Sequence, residues 1–465
     1  MAADNHNLMA STGKLGRFAL PIIGMALLNM AANFVGMLLV ARYGKVELAA
    51  GSLGVATFIT IMTVSSTTLY SVGILVGHSR GQKHSNDQVG TWVKNGFWVA
   101  LGLGIPCALL IYHGDTILQL FGQSQVLIDR ARGYLHYAAL SLIPTLFGLV
   151  ISQFFIGIGR PQITLIASAV RLPLIIILFY PLILGYGGGE PMKLAGISAA
   201  TLVVQILYCI IMLLYIHYSP SMRGFGIFKA PFAPSWEHCK KLLVIGLPIG
   251  IQFGGELGAM TVSTYMMGLF GVTALAATQI VSQYTMLAVM ITLGLSQAIS
   301  VVISEAYGAG DYPLIRNYIK AGFILLLSFF AIVIALFLYE PHLFIGIYID
   351  VHQPGNAAVV SLAVLLFAVA AVAMLIDGMR NLLSGALRGL HDSKAPMWIG
   401  VFCLWGFSLP MAYLVAFRLH EGPVGLRIGF ALGFVIATLL LVVRCWHRLS
   451  GSGSSSKPMI SEITS

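Results

Sequence analysis

Residues 247–280 read LPIGIQFGGELGAMTVSTYMMGLFGVTALAATQI. The first 22 of them are apolar or small enough to cross a bilayer as a helix, which takes about 20 mostly apolar residues. The turn at Phe270-Gly271 ends that run, and a second apolar run begins. A single acid, Glu256, interrupts it. The same pattern occurs earlier in the chain. A shift of 227 residues without a gap sets Leu20-Pro21-Ile22 on Leu247-Pro248-Ile249, Gly44 on Gly271, and Leu48-Ala49-Ala50 on Leu275-Ala276-Ala277. Past a one-residue gap, Lys94, Gly96 and Phe97 match Lys320, Gly322 and Phe323. A proline kept in ungapped register is more telling than any match of Ala, Leu or Gly in lipid. The chain reads as a duplicated membrane unit.

Composition agrees. The 465 residues are 58% hydrophobic and 9% charged, with a mean hydropathy of +0.90. A soluble domain carries about 25% charged residues, so 26 Lys and Arg with 16 Asp and Glu cannot cover a water-facing surface. The net charge of +10 reflects scarce acids rather than a basic patch, which excludes nucleic acid as a partner. The apolar runs are continuous and not alternating, which excludes a transmembrane β-barrel. Five widely spaced cysteines form no CxxC pair and read as packing residues. The first 13 residues carry no apolar core with a cleavage site, so no cleaved signal peptide is expected.

Twelve spans are predicted, at about 17–40, 47–76, 92–113, 133–158, 162–186, 194–217, 240–270, 274–303, 315–340, 359–388, 394–418 and 424–447. The fold class is an all-α integral membrane protein, with twelve transmembrane helices in two six-helix bundles around a central cleft. Six spans per half is an even number, so the halves share one topology about an axis along the membrane normal. With the N-terminus inside, 17 of the 26 Lys and Arg fall on inside segments and 7 outside. By the positive-inside rule both termini are cytoplasmic. The expected organisation is a cytoplasmic segment 1–16, an N-terminal lobe 17–217, a cytoplasmic linker 218–239, a C-terminal lobe 240–447 and a disordered cytoplasmic tail 448–465.

Almost every acid lies in a loop, a tail or at a span edge; Glu256 and Asp377 fall near mid-span. A charge at that depth costs roughly 2.5–3.5 kcal/mol on insertion scales and marks a functional candidate. Such carboxyls can exchange a proton, or a facing pair can chelate a hard cation such as Na⁺ with help from amide and hydroxyl oxygens. Gln252 shares a helical face with Glu256, and Asn381 and Ser384 share one with Asp377. Gln279, Gln283 and Tyr284 are further polar candidates in the eighth span, although amides in lipid also serve as interhelical glue. Arg380 lies three residues after Asp377, close enough either to hide both charges as a local pair or to leave when a cation or substrate arrives.

The sequence resembles the multidrug and toxic compound extrusion family, in particular its NorM-like bacterial branch, over about 17–447. The pieces that carry the likeness are LPIGIQFGGELG leading into GVTALAATQI, VISEAYGAGDY, and MLIDGMRNLLSGALRGLHDSKAPM in the second half. In the first half they are LVARYGKVELAAGSLG and FFIGIGRPQITLI. The resemblance implies a cation-coupled antiporter that expels bulky, often cationic organic compounds by alternating access of two lobes. It also implies that Glu256 and Asp377 take up Na⁺ or H⁺, with no cofactor beyond that ion. A bacterial inner-membrane location in contact with membrane lipid, and a monomer, are expected.

The first half departs from the family pattern. Gly36 stands where relatives carry a first-span aspartate, and Arg171 and Ile175 occupy fifth-span amide positions. No mid-membrane acid remains in 17–217, so coupling is expected to rest on the C-terminal lobe alone. Arg171 is either a fixed positive charge in place of a movable cation, or a side chain that snorkels or pairs with a backbone carbonyl or Asn33. The alternative function is a lipid-linked precursor flippase, which needs several basic residues in its cavity; Arg171 and Arg380 are the candidates. No HExxH or Ser/Lys spacing falls within a span, so an enzyme is not expected.

Overall fold

In the computed structural model, residues 7–82, 86–120, 122–185, 191–229 and 233–451 are described. Among them every regular element is helical. Twelve helices are long and apolar enough to span a membrane: Leu8–Tyr43, Val46–Gly81, Asp87–Tyr112, Gln125–Gly157, Pro161–Leu184, Ala195–Tyr218, Trp236–Gly268, Val272–Gly308, Tyr312–Tyr339, Pro354–Gly389, Lys394–Arg418 and Gly422–Ser450. They are called the first to twelfth spans below.

All twelve expected spans are present, but several run past their expected ends. The first begins at Leu8, inside the segment expected to precede it, because the Asn7 side chain accepts a hydrogen bond from the Met9 amide and caps the helix there. With no proline before Pro21, the helix runs on unbroken through Ser11-Thr12-Gly13-Lys14. The seventh likewise starts within the expected linker, at Trp236 after Ser235. The twelfth helix runs to Gly451, and the rest of the expected tail lies outside the described residues. The second span changes helix at Leu69, and the eleventh contains two wider turns, at Leu404–Ser408 and Leu414–Arg418.

Packing follows the repeat. The fourth span packs on the second, third and sixth, as the tenth does on the eighth, ninth and twelfth. The first span packs on the fifth but also crosses to the eighth and ninth. In the same way the seventh packs on the eleventh and crosses to the second and third. Exchanging the halves leaves this pattern unchanged.

The two crossing helices carry the matched prolines, Pro21 and Pro248, inside their helices. Proline removes a backbone donor and frees the helix to bend. To just past the proline each helix packs in the core of the opposite half: Leu15, Ala19 and Ile22 join the core of the second half, and Leu242, Ile245 and Ile249 that of the first. Beyond it each returns to its own. Leu39 and Val40 pack in the first-half core, and Ala259 and Met267 pack with Leu404 and Phe430. The halves are therefore knitted together at the end where these helices start.

Candidate functional site

The polar centre of the second half is built on the seventh and tenth spans. In the tenth, Asp377, Arg380, Asn381 and Arg388 fall on one helical face. Small residues on the adjoining face let that helix approach the eighth closely: a side chain at Gly385 would meet the Ser296 carbonyl oxygen at 2.4 Å. Arg380 is 1% exposed and bridges the two spans. Its Nη1 donates to Glu256 Oε1 at 2.6 Å, and its Nε donates to Asp377 Oδ1 at 2.9 Å. Asn381 Nδ2 donates to the other Asp377 oxygen at 3.0 Å. Gln252 Nε2 donates to Glu256 Oε1 at 2.9 Å, while its own oxygen accepts from Arg388 Nη2 at 2.9 Å. The Arg380 guanidinium also lies 5.5 Å from the ring centre of Phe434 in the twelfth span, and that of Arg388 lies 5.0 Å from Phe253.

This network brings together five of the sequence candidates: Glu256, Asp377, Arg380, Gln252 and Asn381. In it Arg380 pairs with Asp377 and Glu256 at once. Two carboxylates face two guanidiniums, so the buried group is formally neutral when all four are ionised. That neutrality makes burial tolerable, since a buried charge is costly unless it is paired and hydrogen-bonded. Arg388 was not singled out from the sequence because it sits in the last turn of its span, where a basic residue ordinarily reaches the interface.

The first half has a counterpart without acids. Arg171 donates to Gln205 Oε1 at 2.9 Å and to Asn29 Oδ1, and its guanidinium lies 5.5 Å from the Tyr208 ring centre. Gln205 in turn donates to the Pro144 carbonyl. The expected partner Asn33 is replaced by Asn29, one turn earlier. Asn29 lies 227 residues before Glu256, so the repeat itself pointed to it. At Gly36 a side chain would meet the Phe179 ring at 3.2 Å, so packing fills this position.

The remaining candidates stand apart from the seventh–tenth span network. Gln279 is exposed and Gln283 half-buried. Tyr284 donates its hydroxyl to the Phe344 carbonyl at 2.8 Å and packs among Phe344, Tyr348 and Phe367.

At the knitted end the second and eighth spans meet directly. Ser304 Oγ donates to the Ile74 carbonyl at 2.7 Å, and Arg80 pairs with Glu305 at 3.5 Å. The rings of His78 and His391 lie 4.5 Å apart beside Tyr307. Burial pushes the His391 imidazole down to about 3, with His78 adding to the shift. Two glycines at equivalent positions, Gly81 and Gly308, permit this approach. A Cβ on Gly81 would lie 1.9 Å from the Glu305 carbonyl oxygen, and one on Gly308 2.2 Å from that of His78. No side chain fits at either.

A duplicated twelve-span chain with this helix order matches the MatE family profile over residues 21–182 and 248–414, one match in each half. The chain belongs to the MatE family. The probable multidrug resistance protein NorM of Rhizobium meliloti is 32% identical over 449 residues, 94% of each chain. Multidrug resistance protein NorM of Burkholderia vietnamiensis is 31% identical over 432 residues, 92% of each chain. Among solved structures, that of MATE in the bent conformation superposes with a TM-score of 0.84 at 17% identity, covering 97% of both chains. A MOP superfamily transporter from Pyrococcus furiosus also gives 0.84 at 17% identity, covering 96% of this chain and 97% of its own. These two likenesses establish the fold. The two-half MatE architecture in this chain therefore carries an acid-containing polar centre in one half and an acid-free one in the other.

Proposed function

We propose that this protein is a multidrug efflux antiporter, which expels bulky, often cationic organic compounds in exchange for Na⁺ or H⁺. The observation that carries this reading is the Arg380 bridge between Glu256 and Asp377, buried within and across two apolar spans. The guanidinium occupies the place a coupling cation would take between the carboxylates. An arriving Na⁺ competes with it for carboxylate oxygens, with Asn381 and Gln252 supplying amide oxygens. An arriving H⁺ neutralises one carboxylate and releases that arm of the bridge. In either case the tie between the seventh and tenth spans changes, and the two lobes, 17–217 and 240–447, alternate access about their crossing helices. The multidrug-resistance names of the NorM relatives support the substrate class. The reading places a monomer in the bacterial inner membrane, with lipid around it and both termini and the 218–239 linker in the cytoplasm.

The experiment is gradient-driven transport of a fluorescent organic cation in vesicles, with Na⁺ and H⁺ gradients imposed separately. One gradient drives uptake in the wild type, and Glu256→Gln or Asp377→Asn lowers it at least tenfold. Wild-type rates in both variants overturn the coupling assignment. The alternative, a lipid-linked precursor flippase, draws on Arg171, a half-buried cation whose hydrogen-bond partners are neutral amides. Expression in an efflux-deficient bacterium separates the two. An exporter raises tolerance to several unrelated cations; a flippase leaves tolerance unchanged and rescues an envelope-synthesis defect.

A further inference from the structure

A groove of about 440 Å³ runs between the seventh and eleventh spans on the outside of the bundle, away from the Arg380 network. Trp236, Lys240, Leu243, Leu247 and Ile251 line one wall; Lys394, Met397 and Trp398 line the other. Their spacings, four, three or four residues apart, put each set on one face of its helix.

Three features of the groove point to one ligand. Both lysines are exposed at the start of their spans, and among the described residues neither has a carboxylate or hydrogen-bond partner. The acid beside Lys240, Glu237, is taken by Lys241 at 2.7 Å. Two like charges lining one groove repel each other until an anion sits between them. Next, Trp236 and Trp398 are 75% and 54% exposed; indole rings concentrate at the headgroup level of a bilayer. Last, the wall continues from the lysines as Leu247 and Ile251, both exposed, along the apolar length of the seventh span. Anion, interface and hydrocarbon are thus arranged in the order in which a phospholipid presents them.

We propose that this groove binds an anionic phospholipid, its phosphate held by Lys240 and Lys394 and an acyl chain lying along Leu243, Leu247 and Ile251. A free anion would leave the apolar wall unused, and a neutral lipid would leave the two lysines uncompensated. Basic pockets between spans are recognition sites for anionic headgroups. The proposal does not depend on the export reading.

The test is native mass spectrometry of the purified protein with phosphatidylglycerol and phosphatidylcholine of identical acyl chains. The wild type is expected to retain phosphatidylglycerol in preference to phosphatidylcholine. The double variant Lys240→Gln with Lys394→Gln retains at least fivefold less phosphatidylglycerol, with phosphatidylcholine unchanged. Lys241→Gln, one residue away but paired with Glu237, behaves as wild type. Equal retention of both lipids, or retention by the double variant within twofold of wild type, overturns the proposal and leaves unselective annular contact. Displacement by inorganic phosphate alone overturns it in favour of a free-anion site. Should the double variant not fold, photolabelling of the wild type decides. A phosphatidylglycerol with a diazirine in its acyl chain is expected to mark peptides containing Leu247 or Ile251, and labelling confined to other spans refutes it.

Discussion

The two halves of this protein build opposite electrostatics on partly different spans: the first on its first, fifth and sixth, the second on the seventh and tenth, which repeat the first and fourth. In the second half Arg380 lies between Glu256 and Asp377, and with Arg388 the charges balance. In the first, Arg171 donates to two amides, Asn29 and Gln205, and lies over a tyrosine ring, with no ion pair among the described residues. Asn29 and Glu256 occupy equivalent repeat positions, but the arginines reach them from non-equivalent helices, Arg171 from the fifth span and Arg380 from the tenth. Duplication supplied two equal frameworks, and point differences within them assigned different chemistry. A neutral quartet can be rearranged by one incoming cation. A fixed charge among amides has no carboxylate to give up.

The largest test of this contrast is Arg380→Met. It leaves two buried carboxylates unpaired, and breaking a buried pair from one side costs about 3–5 kcal/mol. Thermal unfolding in detergent should show the largest loss of any single variant discussed here, and a wild-type midpoint would break the account of the network. Next come Gly81→Ala and Gly308→Ala at the knitted end. Each forces a methyl against backbone, an overpacking penalty of about 1–3 kcal/mol. Because the repeat makes the positions equivalent, the two losses should agree; a large difference would show that the halves do not share the contact equally. Arg171→Met is expected to cost less than Arg380→Met, about 1–2 kcal/mol, since it strands amides and no charge. Smallest is Asn29→Asp, which gives Arg171 a carboxylate at the position equivalent to Glu256. It should raise stability by about 1 kcal/mol, as a charge-assisted bond replaces a weaker one. A fall in the unfolding midpoint would show that the first-half site does not accept a charge at that position.

Much of this was legible in the residues, and the reasons are specific. Span count follows from runs of about 20 apolar residues, and the bundle pairing follows from Pro21 and Pro248 in register. Glu256 and Asp377 stood out because lipid makes mid-span acids rare. Arg380 was flagged with two possible roles, and its spacing from Asp377 alone could not reveal Glu256 as a second partner 124 residues away. Tyr284, Gln279 and Gln283 were equally polar on paper, yet the rotation of the eighth span directs Tyr284 to the Phe344 carbonyl instead. Arg388 was passed over because one-dimensional depth placed it at an edge, whereas the tenth helix, tucked against the eighth through Gly385 and Gly389, buries it to 4% exposure.

The 9% of charged residues that makes this a membrane chain belongs to the sequence by itself, as do the duplication and the identity of the mid-span acids. Those properties depend on transfer between water and hydrocarbon, which each residue type carries wherever it stands. The exchange of the first and seventh helices between halves, the choice of Arg380's partners and the groove between the seventh and eleventh spans belong to the tertiary structure. They depend on helix rotation and on contacts between residues more than 100 positions apart, and only packing fixes those.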